Sequence, residues 1–234
     1  MKLLAKAPDV AQFAIGATDC EAIHDDLFAQ PVNAYTSFGY VAVGLTLVGR
    51  GLKKGRHEGS PELLYGSTLV AIGFGSVIFH GPQPASSQFV HDVPIAAALL
   101  YIFLYNLNRL NDFEQVNRLF GLGLIPLAVA FAVAPTLTQI VAASLAGAAI
   151  VTEVLVYRSS GPGRVRNLDK IVAGLLILAG AGYILGRTGS TLCDPDSLWQ
   201  LHGVWHLLSA AAFMLWGLAA FDETKKSTVV GSHP

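Results

Sequence analysis

Long apolar stretches, separated by short polar breaks, run along almost the whole chain. Seven of them approach the roughly 20 apolar residues that a helix needs to cross a bilayer. They lie at residues 33–51, 63–80, 89–107, 117–134, 137–157, 168–186 and 199–220. This pattern predicts an all-α fold, a bundle of seven transmembrane helices. The joins at 81–88 and 135–136 are short, so we expect the helices on either side of each join to form antiparallel hairpins.

The composition is that of a membrane protein. Of the 234 residues, 53% are hydrophobic and 13% are charged, against about 25% charged in soluble domains. The formal net charge of −1 gives no reason to expect a nucleic-acid partner. The first thirty residues lack a signal-peptide pattern, because acidic residues interrupt them: Asp9, Asp19, Glu21, Asp25 and Asp26. We therefore expect one integral membrane domain.

Lysine and arginine residues are divided unequally between the two sets of loops. Twelve lie in the loops after the first, third and fifth spans and in the C-terminal tail, while Lys2, Lys6 and Arg187 lie on the other side. By the positive-inside rule, the N-terminus is outside and the C-terminus is cytoplasmic. The chain then divides into an extracytoplasmic segment (1–32), a seven-helix membrane domain (33–221) and a cytoplasmic tail (222–234). The predicted protein is multi-pass, in the plasma membrane or, in a bacterium, the inner membrane.

Five polar residues fall near the outer ends of three spans. His80 ends the second span, and Ser76 lies four residues earlier on the same helix face. Asp92 lies near the outer start of the third span. The last span carries His202 and His206, again four residues apart. The topology thus predicts that these side chains share one depth, in the outer part of the bundle.

Polar groups of these types suit a catalytic metal site. Ionisable side chains within a membrane span are costly and usually face the bundle interior or a wet cavity. Three imidazoles match the protein half of a catalytic zinc site, which leaves a fourth position for water. Zinc lowers the pKa of such a water from about 15.7 to about 7. A carboxylate at Asp92 could then transfer protons, and the Ser76 hydroxyl could hydrogen-bond to the water or to an oxyanion.

Other polar residues are given simpler interpretations. His91 is adjacent to Asp92 and should point elsewhere, so we interpret it as an interfacial residue. Glu153, near the cytoplasmic end of the fifth span, is expected to be a snorkelling or paired charge. The remaining histidines lie outside the spans and are expected to be solvated: His24, His57 and His233.

The sequence around these residues resembles the alkaline ceramidase family. The stretches "GSVIFHG", "HDVP" and "HGVWH" follow its pattern of Ser-x-x-x-His on the second helix, Asp at the third and His-x-x-x-His on the seventh. The stretch "DCEAIHDDLFAQPVNAYTSFGY" is similar to the start of these proteins. The family is part of the CREST superfamily of seven-span metal-dependent hydrolases. The resemblance touches helices 1, 2, 3 and 7, and the other helices match only in hydropathy.

The resemblance implies a function and a role for each site residue. It implies zinc bound by His80, His202 and His206, with Asp92 as the proton shuttle and Ser76 supporting the water or the oxyanion. The implied reaction is hydrolysis of the amide bond of a membrane lipid, ceramide or a related N-acyl lipid, to a free amine lipid and a fatty acid. The lipid bilayer is the implied environment, and no pattern in the sequence indicates an oligomeric state.

The resemblance also implies a calcium site near the N-terminus, held by acidic side chains and backbone carbonyls. Asp19 and Glu21 could supply such ligands, because calcium prefers several oxygens. The segment that follows is short, however, and Gln30 stands where a carboxylate is expected. Asp25 and Asp26 could substitute for it. The alternative is a solvated acidic segment.

The two cysteines, Cys20 and Cys193, are both predicted to lie outside. On an oxidising face they can form a disulfide, and the resemblance favours the same pairing. The bond would tie the N-terminal segment over the start of the last helix. The alternative is two free thiols.

Two other classes of function fit the sequence. A receptor-like or transport protein could keep the metal for structure, since closed and open metal sites can share ligands. In a haem electron-transfer protein, His80 and one histidine of the last helix would bind iron axially. The haem function would leave Ser76 and Asp92 without a role.

Overall fold

The computed structural model describes residues 15–54, 60–113, 115–159 and 166–230, with only the backbone described at 166 and 223–230. These residues form seven α-helices and no β-strand, which confirms the all-α fold. The helices are α1 (Pro31–Lys53), α2 (Pro61–His80), α3 (Ser87–Asn111), α4 (Val116–Val133), α5 (Thr138–Ser159), α6 (Arg166–Leu185) and α7 (Leu201–Val230). Each predicted span falls on one of them, although α7 continues well past residue 220. Among the predicted positions, His57 and His233 lie outside the described residues.

Six of these seven helices, all except α1, are long and apolar enough to cross a membrane. The chain is therefore an integral membrane protein. α1 has 23 residues, but it carries polar side chains that lower its hydropathy. Two of them, Asn33 and Ser37, are fully buried, so they face other helices. The polar positions of α1 are part of the interior that the next section describes.

α2 and α7 both pack against α1, and they also contact each other. α6 lies against α7, and α3 lies against α2. α4 and α5 are joined by the short turn Pro135–Leu137, as the sequence predicts, but both pack mainly on α3 and make few direct contacts with each other. The small Ala96 of α3 lets the α4 residues Leu127 and Phe131 approach closely, and Val141 of α5 packs against the same cluster.

Glycines allow the closest helix contacts, as is common for helices packed in lipid. A Cβ atom at Gly44 of α1 would lie 2.7 Å from the carbonyl oxygen of Gly66 in α2. A Cβ atom at Gly186, just after α6, would lie 2.5 Å from the backbone nitrogen of His202 in α7. The second contact sets the end of α6 directly against the start of α7.

Replacing Gly186 with alanine is expected to destabilise the protein by about 1–3 kcal/mol, the usual effect of overpacking a tight contact. The new methyl group meets backbone atoms of α7, which cannot move away independently. Thermal unfolding in detergent measures the effect. Gly180→Ala is the matched control, because a Cβ atom there meets nothing within 4 Å and alanine favours the helix. Equal melting temperatures for the two variants would contradict this packing.

Charged residues are paired at the end of the bundle opposite His80, His202 and His206. Asp222 of α7 forms ion pairs with Arg50 and Lys54. The predicted pairing of Glu153 is confirmed, because its carboxylate accepts a hydrogen bond from Trp216 Nε1 at 2.7 Å and lies 4.0 Å from the Arg109 guanidinium.

Candidate metal centre

The structure brings the three predicted histidine ligands together. His80 is the last residue of α2, while His202 and His206 occupy the first turns of α7. Their ligand nitrogens all lie within 4.8 Å of one another, and this is the one group of three or more His, Cys, Asp or Glu side chains in the described parts of the chain that is placed to hold an ion. All three side chains are buried. We call these residues the histidine triad.

Gln30 orients the first histidine of the triad. Its side-chain nitrogen donates to the carbonyl oxygens of Gly16 at 3.1 Å and Glu21 at 2.9 Å. Its amide oxygen is thereby turned to His80 and accepts from Nδ1 at 2.8 Å. Gly16 suits this contact, because its φ is +77° and a Cβ atom there would lie 2.4 Å from that oxygen. The backbone nitrogen of Gln30 also donates to the His80 carbonyl at 2.8 Å.

One polar face of α1 orients His206. Its Nδ1 lies 3.2 Å from the carbonyl oxygen of Asn33, 3.2 Å from Thr36 Oγ1 and 3.3 Å from Ser37 Oγ. A carbonyl oxygen can only accept, so it favours a proton on Nδ1 of His206. The buried polar residues of α1 thus point at the metal centre rather than at lipid.

His202 has a charged neighbour. Its Nδ1 lies 3.3 Å from Asp19 Oδ1, and both side chains are buried, with 6% and 3% exposed. A carboxylate next to Nδ1 favours the tautomer with its proton on that nitrogen.

The surroundings of the triad favour one tautomer for His80 and His206. Their Nδ1 atoms hydrogen-bond to an amide or carbonyl oxygen, so Nε2 keeps a free lone pair, the form that binds metals. His202 Nδ1 lies near the Asp19 carboxylate without forming a hydrogen bond. His80 Nε2 is fully buried and has no hydrogen-bond partner, which is costly for a polar atom unless something binds it. The donor set, three neutral imidazoles, is the one that zinc uses with an open fourth position. The residues present fit a zinc ion.

Ser76 lies beside the triad. It is 1% exposed, and its hydroxyl oxygen is 2.8 Å from that of Ser37, which is next to His206. The predicted closeness of Ser76 to the histidines agrees with this chain of contacts.

Asp92 and His91 form a pair near the start of α3. His91 Nδ1 lies 2.7 Å from Asp92 Oδ1. The His91 ring stacks on Phe79 with centroids 4.6 Å apart, and its centroid is 6.2 Å from that of His80. His91 was expected to point away from the site, but the structure sets it beside the triad.

A pocket of about 400 Å³ opens next to this pair, between α3 and the facing ends of α4 and α5. Gln88 and Thr138 line it with their polar groups, and Phe89 and Phe131 line it with their rings. Gln88 lies one turn before Asp92 on α3, so the pocket is close to the start of the helix that carries Asp92.

The two acidic residues considered for calcium have other partners. Both oxygens of Glu21 accept from the first-turn amides of α1, those of Val32 at 2.6 Å and Asn33 at 2.8 Å, which suits the positive end of a helix. Asp19 forms an ion pair with Arg187 at 2.9 Å. Burial raises the pKa of the Asp19 carboxyl to about 6, against the opposing effect of Arg187, and burial also raises the pKa of Glu21.

The calcium site stays a prediction. Among the described residues, Asp19 and Glu21 do not belong to a group of three or more His, Cys, Asp or Glu side chains placed to hold an ion. Asp25 and Asp26, the possible substitutes, are exposed, as is His24. The alternative of a solvated acidic segment does not hold for Asp19 and Glu21, because both side chains are buried.

The predicted disulfide is present between Cys20 and Cys193. Hydrogen bonds reinforce the same junction, from the Cys20 nitrogen to the Gly186 carbonyl at 2.9 Å and from Thr188 Oγ1 to the Asp19 carbonyl at 3.0 Å. The N-terminal segment is thus fixed against the loop between α6 and α7, next to the triad.

The triad suits a single ion better than a haem. The ring centroid of His80 lies 5.2 Å from that of His202 and 5.2 Å from that of His206. A haem held by two axial imidazoles would leave the third ring of this cluster without a role.

Sequence reasoning missed the residues that orient the triad. On α1, the polar positions 33, 36 and 37 recur at helical spacing within an apolar helix, and this signal indicates one inward polar face. Gln30 was noticed only as a missing carboxylate. Asp19 gave no signal for its contact with His202, because the residues around it form a loop without periodicity.

Comparison with known proteins identifies the family. No curated protein matches the chain. A model of a protein family, described as Ceramidase, matches residues 20–227, and this span includes the triad, Ser76, Asp92 and both cysteines. Because the match covers most of the chain, the resemblance seen in the sequence is confirmed, and the protein belongs to the ceramidase family.

Proposed function

We propose that the protein is a zinc-dependent amidase that hydrolyses the amide bond of a membrane lipid, ceramide or a related N-acyl lipid. The products are a free amine lipid and a fatty acid. Membership of the ceramidase family supports the reaction. One observation supports the metal: the ligand nitrogens of His80, His202 and His206 lie within 4.8 Å of one another, and the buried Nε2 of His80 has no hydrogen-bond partner.

Each residue of the site has its own role in the hydrolysis of an amide. The triad holds the zinc ion, which supplies a Lewis acid for the carbonyl oxygen and makes water acidic near neutral pH. Ser76, held by Ser37, offers a hydroxyl to the oxygen of the reacting carbonyl. Asp92 accepts a proton from water and returns it to the leaving amine. His91 holds the Asp92 carboxylate in place through its Nδ1 atom.

The proposal also includes the orientation of the protein in the membrane. We place the triad on the extracytoplasmic side, because lysine and arginine residues concentrate in the loops at the opposite end. In this arrangement α1 also crosses the membrane, which brings the number of spans to seven. Its polar face is turned to the triad and not to lipid. A lipid substrate then reaches the site from the outer leaflet, with its acyl chain lying between apolar helices.

A substrate panel tests the proposed reaction. Purified protein with its zinc content measured is incubated with ceramides, N-acylethanolamines and N-acyl amino acids, and fatty acid release is quantified. The proposal expects release from at least one of these amides, and loss of that release after zinc is removed with a chelator. No release from any of the amides by fully zinc-loaded protein would favour a receptor-like role.

Replacing Asp92 with asparagine is expected to lower kcat by about 10²–10⁴-fold, the usual contribution of general acid–base catalysis. The asparagine side chain keeps the size and one oxygen of the carboxylate but cannot take up a proton. Zinc content should remain at the wild-type level, because Asp92 is not part of the triad. Full activity in Asp92→Asn protein would remove the proposed role of this carboxylate.

A further inference from the structure

The carboxylate of Asp19 lies between a histidine of the triad and an arginine. Its Oδ1 atom is 3.3 Å from His202 Nδ1 and 2.9 Å from Arg187 Nη1. The Asp19 side chain is 3% exposed and that of Arg187 is 28% exposed. The guanidinium also lies 4.9 Å from the ring centroid of Tyr183. The buried carboxylate thus accepts a hydrogen bond from the Arg187 guanidinium and lies at ion-pair distance from His202 Nδ1, a buried atom that has no hydrogen-bond partner among the described residues.

The backbone around this carboxylate is fixed from both sides. Asp19 and Arg187 face each other in an isolated antiparallel β-bridge. Thr188 adds a backbone bond to the Thr18 carbonyl at 3.0 Å and a hydroxyl bond to the Asp19 carbonyl at 3.0 Å. The disulfide closes the same junction one residue further along, at Cys20. These links set the position of Asp19 relative to the start of α7.

We infer that Asp19 is a positioning residue for His202 and that Arg187 holds the Asp19 carboxylate in place for this task. This inference rests on the proposed zinc site. A carboxylate next to the Nδ1 atom of a metal-binding histidine fixes its tautomer and ring orientation and makes it a stronger ligand. Arginine suits the supporting position because it stays charged at every physiological pH.

The three histidines differ in a way that singles out His202. His80 and His206 face neutral oxygens, from an amide side chain and from α1, whereas His202 faces a carboxylate. The carboxylate places a negative charge one shell away from a site whose three direct ligands are neutral. Arg187 is the positively charged partner of Asp19 in this structure. In the calcium prediction, that partner would be a calcium ion.

Zinc affinity of the purified full-length protein tests the inference. Apoprotein is titrated with zinc in competition with a chromophoric chelator, and the visible spectrum of the cobalt-substituted protein reports the geometry at the ion. We expect Asp19→Asn to raise the zinc dissociation constant by about 10–100-fold, as for other changes to the residues that contact metal-binding histidines, and to change the cobalt spectrum. Arg187→Gln should have a smaller effect of the same kind, which Arg187→Lys should largely restore.

Thr188→Val is the matched control for loosening of the N-terminal segment. It removes the hydroxyl bonds to the Ala17 and Asp19 carbonyls but leaves the Asp19 carboxylate intact. Its melting temperature should fall while its zinc affinity stays at the wild-type value. If Asp19→Asn does not fold, the Arg187 pair of variants gives the same comparison.

Three outcomes overturn the inference. The first is unchanged zinc affinity in Asp19→Asn or, if that variant does not fold, in Arg187→Gln. The second is an equal loss of affinity in Thr188→Val, which would make the effect one of segment docking alone. The third is a wild-type protein that binds no zinc at the triad, and only this third outcome also refutes the proposed function.

Discussion

Replacing His80 with alanine is expected to release the metal and to reduce lipid-amide hydrolysis to the background rate. The triad would retain only the two histidines of α7, and zinc in catalytic sites is held by three side chains. The loss in zinc affinity should exceed the 10–100-fold that is typical of changes outside the direct ligands. Zinc content by mass spectrometry and fatty acid release measure the two effects.

Two comparisons make the His80 result specific. His24→Ala changes an exposed histidine and should keep both zinc and activity. The melting temperature and elution profile of zinc-free wild-type protein show how stable the bundle is without metal, and His80→Ala protein should resemble it. One equivalent of tightly bound zinc in folded His80→Ala protein would mean that the metal is held elsewhere.

Removing the disulfide is expected to have the second largest effect. The double variant Cys20→Ser, Cys193→Ser should lose about 2–4 kcal/mol of stability, because the bond constrains a long stretch of the unfolded chain. Zinc should also dissociate more readily, since Asp19 and the Gly16 and Glu21 carbonyls that hold Gln30 lie on the segment that the bond fixes. Thermal unfolding and the rate of zinc transfer to a chelator measure these effects.

Reduction of the wild-type protein should reproduce both effects, while the same reductant should not alter the double variant further. This comparison separates the loss of the bond from any effect of the reductant on zinc. A reduced protein with an unchanged melting temperature and unchanged zinc transfer would show that the hydrogen bonds at Gly186 and Thr188 hold the segment without help.

The helices were predictable because hydropathy reports the medium around each residue. All seven predicted spans correspond to helices. α1 differs from the other six because its hydropathy is lower. Its polar residues lower its hydropathy, and two of them, Thr36 and Ser37, have hydroxyls that contact His206. The packing of α4 and α5 was not predictable, because a short join constrains where two helices begin but not which neighbour each one covers.

The direct ligands of the candidate site were easier to predict than the groups that orient them. His202 and His206 share a helix face by spacing alone, and the inferred topology put His80 at the same depth. Gln30 and Asp19 come from an irregular segment whose path depends on long-range contacts, so no periodicity marks them. His91 was misread because adjacent helix residues point about 100° apart, which still lets both His91 and Asp92 lie at the same edge of the site.

Fatty acid release during a zinc titration of the apoprotein tests the central claim most directly. The substrate is the best N-acyl lipid from the panel, and bound zinc is measured in the same samples. We expect the rate to rise in proportion to bound zinc and to stop rising at one ion per chain. Hydrolysis that continues at full rate in metal-free protein, or one bound ion without any hydrolysis, would contradict it.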